Sequence, residues 1–477
     1  MRTMRRNLFS MPLCAVLAMA LAGCADFENK PLLPQQTAAG FEGRTFADAG
    51  LKKFLETNLH REFAPWPPRS WDFDTLTLVA FYYHPSLDVA RADWAAVSAG
   101  IRTANELPNP TAGVSLLHEP VPDAPAPWIP SLIFDLPIET AGKRGLRTDQ
   151  AKHLSESARL NVASIAWQVR SHLRTSLLDC VWGQQRVALL QRQVALQQDL
   201  NQRFESQFQA GAIAQMELTN ARIALARARA DRADAQRQFA ATRVNVADAL
   251  GLPAAVLDGV SLGFDLTRLE DSRRLTSADA RSTALLRRTD ILGALSDYAA
   301  SQSALQLEVA KQYPDIHLTP GYSWNAGNTG DHDWLIGITS LVPMFNQHKG
   351  PIAEAAARRD ALAARFLALQ AKVIGDLNRA IATLRASENN VVVLGQLTAE
   401  RAARQRSVEA QFKAGAVDRL EVLGATLELA AAQLTRLDAQ AQAQQAFGAL
   451  EDAIQSPLPK PSMIEANARS QTPSPKP

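Results

Sequence analysis

Hydrophobic and polar positions follow two different periods in different parts of the chain. Stretches rich in Ala, Leu, Val and Gln, without internal Pro, predict helices over residues 146–209 and 351–414. At 1.5 Å per residue, a run of roughly 60 residues spans roughly 90–100 Å, a length typical of coiled coils and not needed in a compact domain. Each run is followed by a second predicted helix, which ends near Leu250 or Ile454.

Four shorter segments alternate apolar and polar residues, as strands with one polar face do. In IHLTPGYSWN, one face is formed by Ile316, Leu318, Pro320, Tyr322 and Trp324. In the first of the two strand pairs, Ile133 interrupts the alternation. The predicted strands cover residues 111–119, 128–138, 315–325 and 333–343. Each has about ten residues, the length with which a tilted strand crosses a bilayer.

Aromatic residues lie near the ends of these segments, at Trp128, Tyr322, Trp324 and Trp334. Apolar-polar alternation with Trp and Tyr near the strand ends is typical of membrane barrels, where the aromatic residues lie at the membrane interface. The pattern taken alone also fits a soluble sheet with one buried face.

The same order of elements occurs twice in the chain. The stretch QFQAGAIAQMEL begins at Gln207, and QFKAGAVDRLEV begins at Gln411, 204 positions later. Matches at this offset pair Leu87 with Ile291, Trp94 with Tyr298, Pro110 with Pro314 and Pro253 with Pro457. In each copy a first helix, over residues 76–107 or 278–312, precedes the two strands and the long helix. The offset predicts a duplicated architecture.

The repeats divide the chain into six expected segments. These are a signal peptide (1–23), an acylated extended segment rich in Pro (24–73), the first repeat (74–253), a linker (254–277), the second repeat (278–457) and a disordered tail (458–477).

Composition narrows the class of protein further. The chain has 477 residues, a formal net charge of +2, 47% hydrophobic residues and only 6% aromatic residues. The near-neutral net charge does not indicate binding to nucleic acid. The Ala-rich composition favours long helices over a sheet-rich enzyme. The eight His residues have no metal-ligand spacing, and the sequence has no nucleophile elbow or phosphate loop. We therefore expect no catalysis, no resident metal and no cofactor.

The N-terminus has the features of a targeting segment. Three Arg residues precede a mostly apolar run over residues 8–21, and the motif LAGC follows and ends at Cys24. This motif resembles the bacterial lipoprotein lipobox, in which Cys24 becomes the acylated first residue of the mature protein. Ala25 fits sorting to the outer membrane. The alternative is an ordinary secretory signal in which the Cys is incidental.

Four predicted strands cannot cross a membrane on their own. A lipid-exposed sheet edge leaves N–H and C=O groups unpaired, and the hydrocarbon core offers them no partner. A membrane barrel must therefore be shared between copies of the chain. Two copies give eight strands, with an interior filled by side chains, whereas three give twelve strands and space for a lumen. The pattern favours a mainly helical chain whose strands join a twelve-stranded trimeric β-barrel.

The paired helix–strand–strand–helix repeats, the two AGA turns and the LAGC motif together resemble the TolC family of outer-membrane efflux ducts over residues 72–457. The turn PIETAGKRG, from Pro137 to Gly145, is similar to the CzcC-type, heavy-metal-efflux branch. The resemblance implies a homotrimer that is lipid-anchored in the outer membrane and extends into the periplasm. It implies a passive duct for metal ions or small toxic compounds, with a periplasmic adaptor (membrane fusion) protein and a proton-driven inner-membrane pump of the RND type as partners.

The resemblance also implies roles for individual residues. The hairpin tips that contact the adaptor would include Gly211, Ala212, Gln215, Gly415, Ala416 and Asp418. The periplasmic gate would be an acidic ring at Glu421, with added charge from Asp418, although Gly424 stands where the family has its second acid. A purely structural turn and a solvated helix residue are the alternatives for these positions.

Two rival functions remain open from the sequence. One is an outer-membrane duct of an ABC-type exporter, which differs only in its pump. The other is a periplasmic coiled-coil scaffold lipoprotein without a pore. The alternating strands argue against the scaffold, because a coiled coil has no use for membrane-length strands.

Overall fold

A computed structural model describes residues 27–118, 128–267, 277–325 and 331–458. The chain divides into two compact units. The first unit ends at Thr45 and contains helix α1 (Pro34–Glu42), which has a Pro in its first turn. The second unit begins at Phe46 and carries the other elements.

The second unit is mainly helical, as predicted, with a few short strands. Its helices are α2 (Ala49–Leu59), α3 (Phe73–Tyr83), α4 (Pro85–Asn105), α5 (Lys143–Gln209), α6 (Gln215–Leu250), α7 (Ser277–Arg287), α8 (Thr289–Ala310), α9 (Lys349–Lys413) and α10 (Arg419–Ile454). Its strands are β1 (Ser70–Trp71), β2 (Thr111–His118), β3 (Trp128–Ile138), β4 (Ser261–Leu262), β5 (Ile316–Asn325) and β6 (Asp331–Ser340). Throughout the described parts of the chain, the helices lack the continuous apolar stretch that crossing a membrane requires.

The longest helices confirm the predicted helical hairpins. α5 has 67 residues and α9 has 65, and each is followed by a returning helix of 36 residues. α5 packs along α6, and α9 packs along α10. The buried residues of α6 include Ala221, Ala228 and Ala235. Small side chains of this kind reduce the distance at which two helices pack.

The segment expected to be extended, residues 24–73, contains two helices instead. α2 begins where the Asp48 carboxylate accepts a hydrogen bond of 2.6 Å from the Leu51 N–H. Leu51 and Leu55, one turn apart, are fully buried in the same core cluster as Trp71. The sequence prediction was wrong here because this apolar stripe is only two residues long and lies between Pro-rich stretches.

The first helix of each repeat is divided into two, which also differs from the prediction. His84 has extended backbone angles (φ −72°, ψ 121°) because the following Pro85 disfavours the helical conformation of the residue before it. α3 and α4 therefore replace one helix over 76–107. In the second repeat the chain breaks at the corresponding position, Arg288 (φ −63°, ψ 131°).

The predicted linker, residues 254–277, is structured in its described part. It contains a short 3-10 helix, Ala254–Leu257, and strand β4. β4 pairs in parallel with β1, with Ser70 opposite Ser261 and Trp71 opposite Leu262. Through this pairing, the linker after the first repeat contacts the segment that precedes the first repeat.

The four predicted long strands form one antiparallel sheet in the order β2-β3-β5-β6. β3 and β5 join the two repeats, because β3 belongs to the first repeat and β5 to the second. β6 begins at Asp331 and ends at Ser340, two to three residues earlier than the predicted 333–343.

The same order of elements occurs in the two halves of the structure, but the offset between matching residues is not constant. Val114 lies opposite Leu132 in the first repeat, and Leu318 lies opposite Ile338 in the second. β2 therefore matches β5 at an offset of 204, whereas β3 matches β6 at 206, as Pro137 and Pro343 also show. The hairpin tips return to 204 because α9 is two residues shorter than α5.

Two of the hydrophobic clusters, each of twelve or more buried residues, join several helices. The larger one joins α2, α3, α5 and α6 and includes Leu55, Leu76, Leu173, Leu177 and Leu250. The smaller one joins α7 to α10 and includes Ile291, Leu377, Leu384, Phe447 and Ile454. Their positions leave the four-stranded sheet outside both cores, so the sheet has no hydrophobic partner layer from either cluster.

Candidate functional site: the sheet and the hairpin tips

One face of the four-stranded sheet is apolar across every strand. Its cross-strand partners include Val114 with Leu132, Leu318 with Ile338, Pro320 with Ile336 and Tyr322 with Trp334. Several of these side chains are exposed to an unusual degree: Trp334 by 81%, Val114 by 77% and Ile336 by 76%. Soluble monomers rarely expose a contiguous apolar patch of this kind. The predicted alternation of apolar and polar faces is confirmed.

The opposite face of the sheet carries mostly small and polar residues, with Leu117, Ile129, Ile133 and Leu335 as apolar exceptions. The small and polar residues include Ser131, Asp135, His317, Thr319, Gly321, Ser323, Gly337 and Thr339. The Nδ1 atom of His317 lies 3.0 Å from the Oδ1 atom of Asp135. Ile133, which interrupts the alternation, lies opposite Gly321.

The sheet has two edges without a partner in the described chain. There β2 pairs only with β3, and β6 pairs only with β5. An edge strand presents a row of free N–H and C=O groups, which is a template for pairing with another chain. Edges of this length next to an apolar face indicate that the sheet is one part of a larger one.

The predicted interface aromatic residues lie together at one end of the sheet. Trp128 begins β3, and β5 and β6 bring Tyr322, Trp324 and Trp334 to the same end. The rings of Tyr322 and Trp334 are 5.0 Å apart. The long helices leave from the opposite end of the sheet, after Ile138 and Ser340.

The two hairpin tips have the same geometry. After α5, the Ala212 N–H donates to the Gln207 carbonyl at 2.8 Å and the Gly211 N–H to the Phe208 carbonyl at 2.9 Å. After α9, Ala416 and Gly415 repeat these bonds to Gln411 and Phe412 at 2.9 Å each. This pattern is a Schellman motif, in which Gly takes the left-handed conformation. The φ angles of Gly211 and Gly415, +68° and +77°, fit it.

The tips differ at the start of the returning helix. The Asp418 carboxylate caps α10 by accepting from the Glu421 N–H at 3.0 Å, whereas Ala214 at the start of α6 provides no side-chain cap. Gln215 is the first residue of α6. Glu421 is exposed in the first turn of α10. The structure therefore gives Asp418 a capping role and leaves the Glu421 carboxylate directed to solvent.

The structure adds a junction between the repeats that the sequence did not predict. Asp315, just before β5, accepts hydrogen bonds from the Thr140 N–H at 2.9 Å and from Lys143 Nζ at 2.8 Å. Burial raises the pKa of Asp315, but hydrogen bonds from Lys143 and Thr140 outweigh burial, so that its pKa lies below the usual value. Lys143 itself is buried. The turn PIETAGKRG thus contacts the second repeat through the ion pair between Lys143 and Asp315.

A second polar cluster, between α5 and α10, was also missed. Glu451 is buried, and its Oε2 lies 3.1 Å from Arg170 Nη1 and 3.6 Å from Arg174 Nε. One turn away, Trp167 donates to Asp452 at 2.9 Å. The helical spacing of these α5 residues was visible in the sequence, but their partners lie far away along the chain.

Two further predictions concern lipidation and metal binding. Cys24, the predicted acylation site, lies outside the described residues. Within the described residues, no group of three or more His, Cys, Asp or Glu side chains is arranged to hold a metal ion.

Comparison with known proteins agrees with this geometry. Residues 280–454 match the family described as outer membrane efflux protein. The cobalt-zinc-cadmium resistance protein CzcC of Cupriavidus metallidurans is 23% identical over 365 residues, which cover 76% of this chain and 84% of CzcC. The outer-membrane channel OprN aligns with a TM-score of 0.67 and 16% identity, over 91% of this chain and 98% of OprN. The outer membrane protein VceC of Vibrio cholerae aligns with a TM-score of 0.66 and 15% identity, over 80% of this chain and 96% of VceC.

The fold, a four-stranded sheet joined to two long helical hairpins, is therefore similar to the folds of OprN and VceC. Residues 280–454 thus resemble the outer membrane efflux protein family, and the chain is similar to CzcC over most of its length.

Proposed function

We propose that three copies of this chain form a passive export duct through the outer membrane. Each copy contributes β2, β3, β5 and β6 to a shared twelve-stranded barrel, and its hairpins extend into the periplasm. The observation that carries this proposal is the sheet, which combines an exposed apolar face with two unpaired edges among the described residues. Such edges are tolerated in a bilayer only when the barrel is closed.

The aromatic residues support the orientation of this barrel. Trp128, Tyr322, Trp324 and Trp334 lie at the sheet end away from the helices. They would form the aromatic girdle at the outer membrane interface. The polar face, with Asp135 and His317, would line the lumen.

The hairpin tips are the proposed contact with a periplasmic adaptor protein. Two equivalent turns per chain give six tips in a trimer, built around Gly211, Ala212, Gln215, Gly415, Ala416 and Asp418. An inner-membrane pump, of the proton-driven RND type, supplies the energy, so the duct itself hydrolyses nothing and needs no cofactor.

Metal ions are the proposed cargo. The similarity to a cobalt-zinc-cadmium resistance protein supports this choice over drugs or proteins. Deletion of the chain from its host is expected to increase sensitivity to divalent transition metals. Increased sensitivity to an exported protein or peptide alone would instead favour a duct for an ABC-type exporter.

Lipidation at Cys24 is proposed as an additional anchor in the outer membrane. Acyl chains embed in the inner leaflet, and more than one chain is needed for stable attachment. Palmitate labelling of the wild-type chain, absent in Cys24→Ser, is the expected result. Equal labelling of both chains would contradict the assignment.

The channel itself is tested by electrophysiology on the purified protein. We expect a heat-modifiable trimer in outer-membrane fractions that produces discrete conductance steps in planar bilayers. A water-soluble monomer without conductance would instead support a periplasmic coiled-coil scaffold. The two outcomes differ because a scaffold has no reason to bury the apolar face of its sheet in lipid.

A further inference from the structure

The two repeats give a template for the contact between neighbouring chains. Equivalent pairs occur within each repeat: His118 opposite Trp128, and Tyr322 opposite Trp334. β2 therefore corresponds to β5, and β3 corresponds to β6, residue by residue. Between the repeats, β3 pairs with β5, with Ile138 opposite Ile316 at the end near the helices.

β3 pairs with β5 of the other repeat, but β6, the counterpart of β3, has no such second partner in the described chain. β6 would need a copy of β2 as its neighbour, and the chain's own β2 lies at the far edge of the sheet. In a closed ring built from repeats, that neighbour is β2 of a second copy. This step rests on the shared barrel of the proposed function.

We propose that residues 338–344 pair antiparallel with residues 112–118 of β2 in a neighbouring copy, in the register that the β3–β5 pair sets. Leu136 lies opposite Leu318 in the chain. Their counterparts are Val342 and Val114, so Val342 lies opposite Val114 of the partner subunit. By the same step Met344 lies opposite Ala112 of the partner subunit.

The end of β6 supports this register. β3 has 11 residues and runs to Ile138, whereas β6 stops at Ser340, although the counterpart of Ile138 is Met344. The residues beyond β6 are apolar and exposed: Leu341 by 77%, Val342 and Met344 by 72% each. Pairing with a second copy extends β6 to Met344, the counterpart of the last residue of β3, and gives the backbone of these residues a partner.

The helices next to the sheet give an independent observation. α8 packs against both α5 and α9, whereas the extensive helix contacts of α4 in the described chain are with α5. A Cβ at Gly293 of α8 would lie 3.9 Å from Leu160 of α5. Its counterpart on α4 is Val89, which is 60% exposed. The rotation that pairs β6 of this chain with β2 of the neighbour places this exposed face of the neighbour's α4 against α9 of this chain.

Cysteine cross-linking tests the register in the intact trimer. Val342→Cys is combined in turn with Ala112→Cys, Val114→Cys and Leu116→Cys, in a Cys180→Ala background, and oxidised in membranes. Directly opposite residues lie within disulfide distance, while diagonal ones are about 7–8 Å apart. We expect the Val342→Cys/Val114→Cys pair to give the highest yield of covalent oligomers, by about threefold or more over the other pairs. The single-cysteine variants are the controls.

The outcomes separate this inference from the proposed function. A maximum at Ala112→Cys or Leu116→Cys, in a chain that still forms trimers, would overturn the register alone. Absence of cross-links from every pair in a native trimer would overturn the β6–β2 contact. Absence of a trimer in the parent chain, measured by amine cross-linking before oxidation, would overturn the shared barrel and with it this contact.

Discussion

At the residue scale, the buried carboxylate of Glu451 is the side chain on which the contact between α5 and α10 depends most. It lies beside two guanidinium groups, those of Arg170 and Arg174, and its side chain is only 5% exposed. Gly448, one turn earlier, leaves the space that Arg174 occupies, because a Cβ there would overlap its guanidinium. Close helix packing and charge pairing are therefore parts of one contact.

Glu451→Ala is expected to destabilise the fold by about 3–5 kcal/mol, because it removes the carboxylate beside the guanidinium groups of Arg170 and Arg174. The measurement is the midpoint of heat-induced trimer dissociation, compared with the wild-type chain. Glu428→Ala is the matched control, because Glu428 contacts Arg401 and Arg404 at 2.7 Å each but is 43% exposed. The control is expected to lose only about 0–1 kcal/mol. Equal losses in both variants would contradict a buried role for Glu451.

The Asp315 junction predicts a dependence of stability on acid. Because the pKa of Asp315 is lowered in the folded chain, its contribution is complete above its ordinary pKa of 3.8 and is lost as pH falls through the lower folded value. Asp315→Asn is expected to cost about 1–2 kcal/mol at pH 7. The difference between wild type and variant should shrink as acid denaturation is measured from pH 5 towards pH 3.

Asp149→Asn is the control for this experiment, because the Asp149 pair with Lys152 is an exposed contact within α5. Its difference from wild type is expected to be small at every pH. A pH-independent effect of Asp315→Asn would contradict the charge-based account of the junction.

At the element scale, the two hairpin tips require Gly because of its backbone conformation and not because a side chain would lack space. A Cβ at Gly211 or Gly415 would meet nothing within 4 Å, but both residues have positive φ angles. Non-Gly residues there cost about 1–2 kcal/mol each, and β-branched residues cost more. The double variant Gly211→Val/Gly415→Val is expected to insert its barrel but to lose co-purification with the adaptor and metal efflux.

Asn at both positions is the matched variant, because Asn adopts the left-handed conformation readily. It is expected to restore assembly with the adaptor to near the wild-type level. Normal efflux from the Val variant would show that the tips do not contact the adaptor through this turn.

Elements with a regular apolar pattern over many residues were predictable from the sequence. Elements whose stability depends on residues far away along the chain were not. The hairpins and tips follow from helical runs of more than 60 residues and from a Gly turn repeated 204 positions later. The strand faces follow from alternation, because a side chain's direction in a strand depends only on its parity. Helix α2 was missed because its burial depends on Trp71, and the roles of Asp315 and Glu451 were missed because their partners lie in the other repeat.

At the scale of the whole molecule, the duplication within the chain and the proposed three-fold symmetry between chains would give different sets of repeated positions. The proposed barrel would use both repeats alike, since β2–β3 and β5–β6 have matching pairs. The two hairpin tips of a chain are not alike, because Asp418 caps α10 whereas Ala214 leaves α6 without a side-chain cap. A trimer thus presents two sets of three acidic first turns, at Glu217 and at Glu421, in different surroundings.

Comparison of these two sets tests whether Glu421 forms the gate. If Glu421 forms the proposed ring, three carboxylates attract cations to the periplasmic mouth. Glu421→Gln is then expected to lower the cation-to-anion permeability ratio by roughly two- to fivefold, equivalent to about 0.4–1 kcal/mol. Block by divalent cations should weaken in the same variant. Asp418→Asn retains the capping oxygen while removing the charge, so its effect isolates the added charge from the turn. Glu217→Gln, at the corresponding position of the first repeat, is expected to leave both quantities unchanged, and an effect equal to that of Glu421→Gln would place the gate on both hairpins.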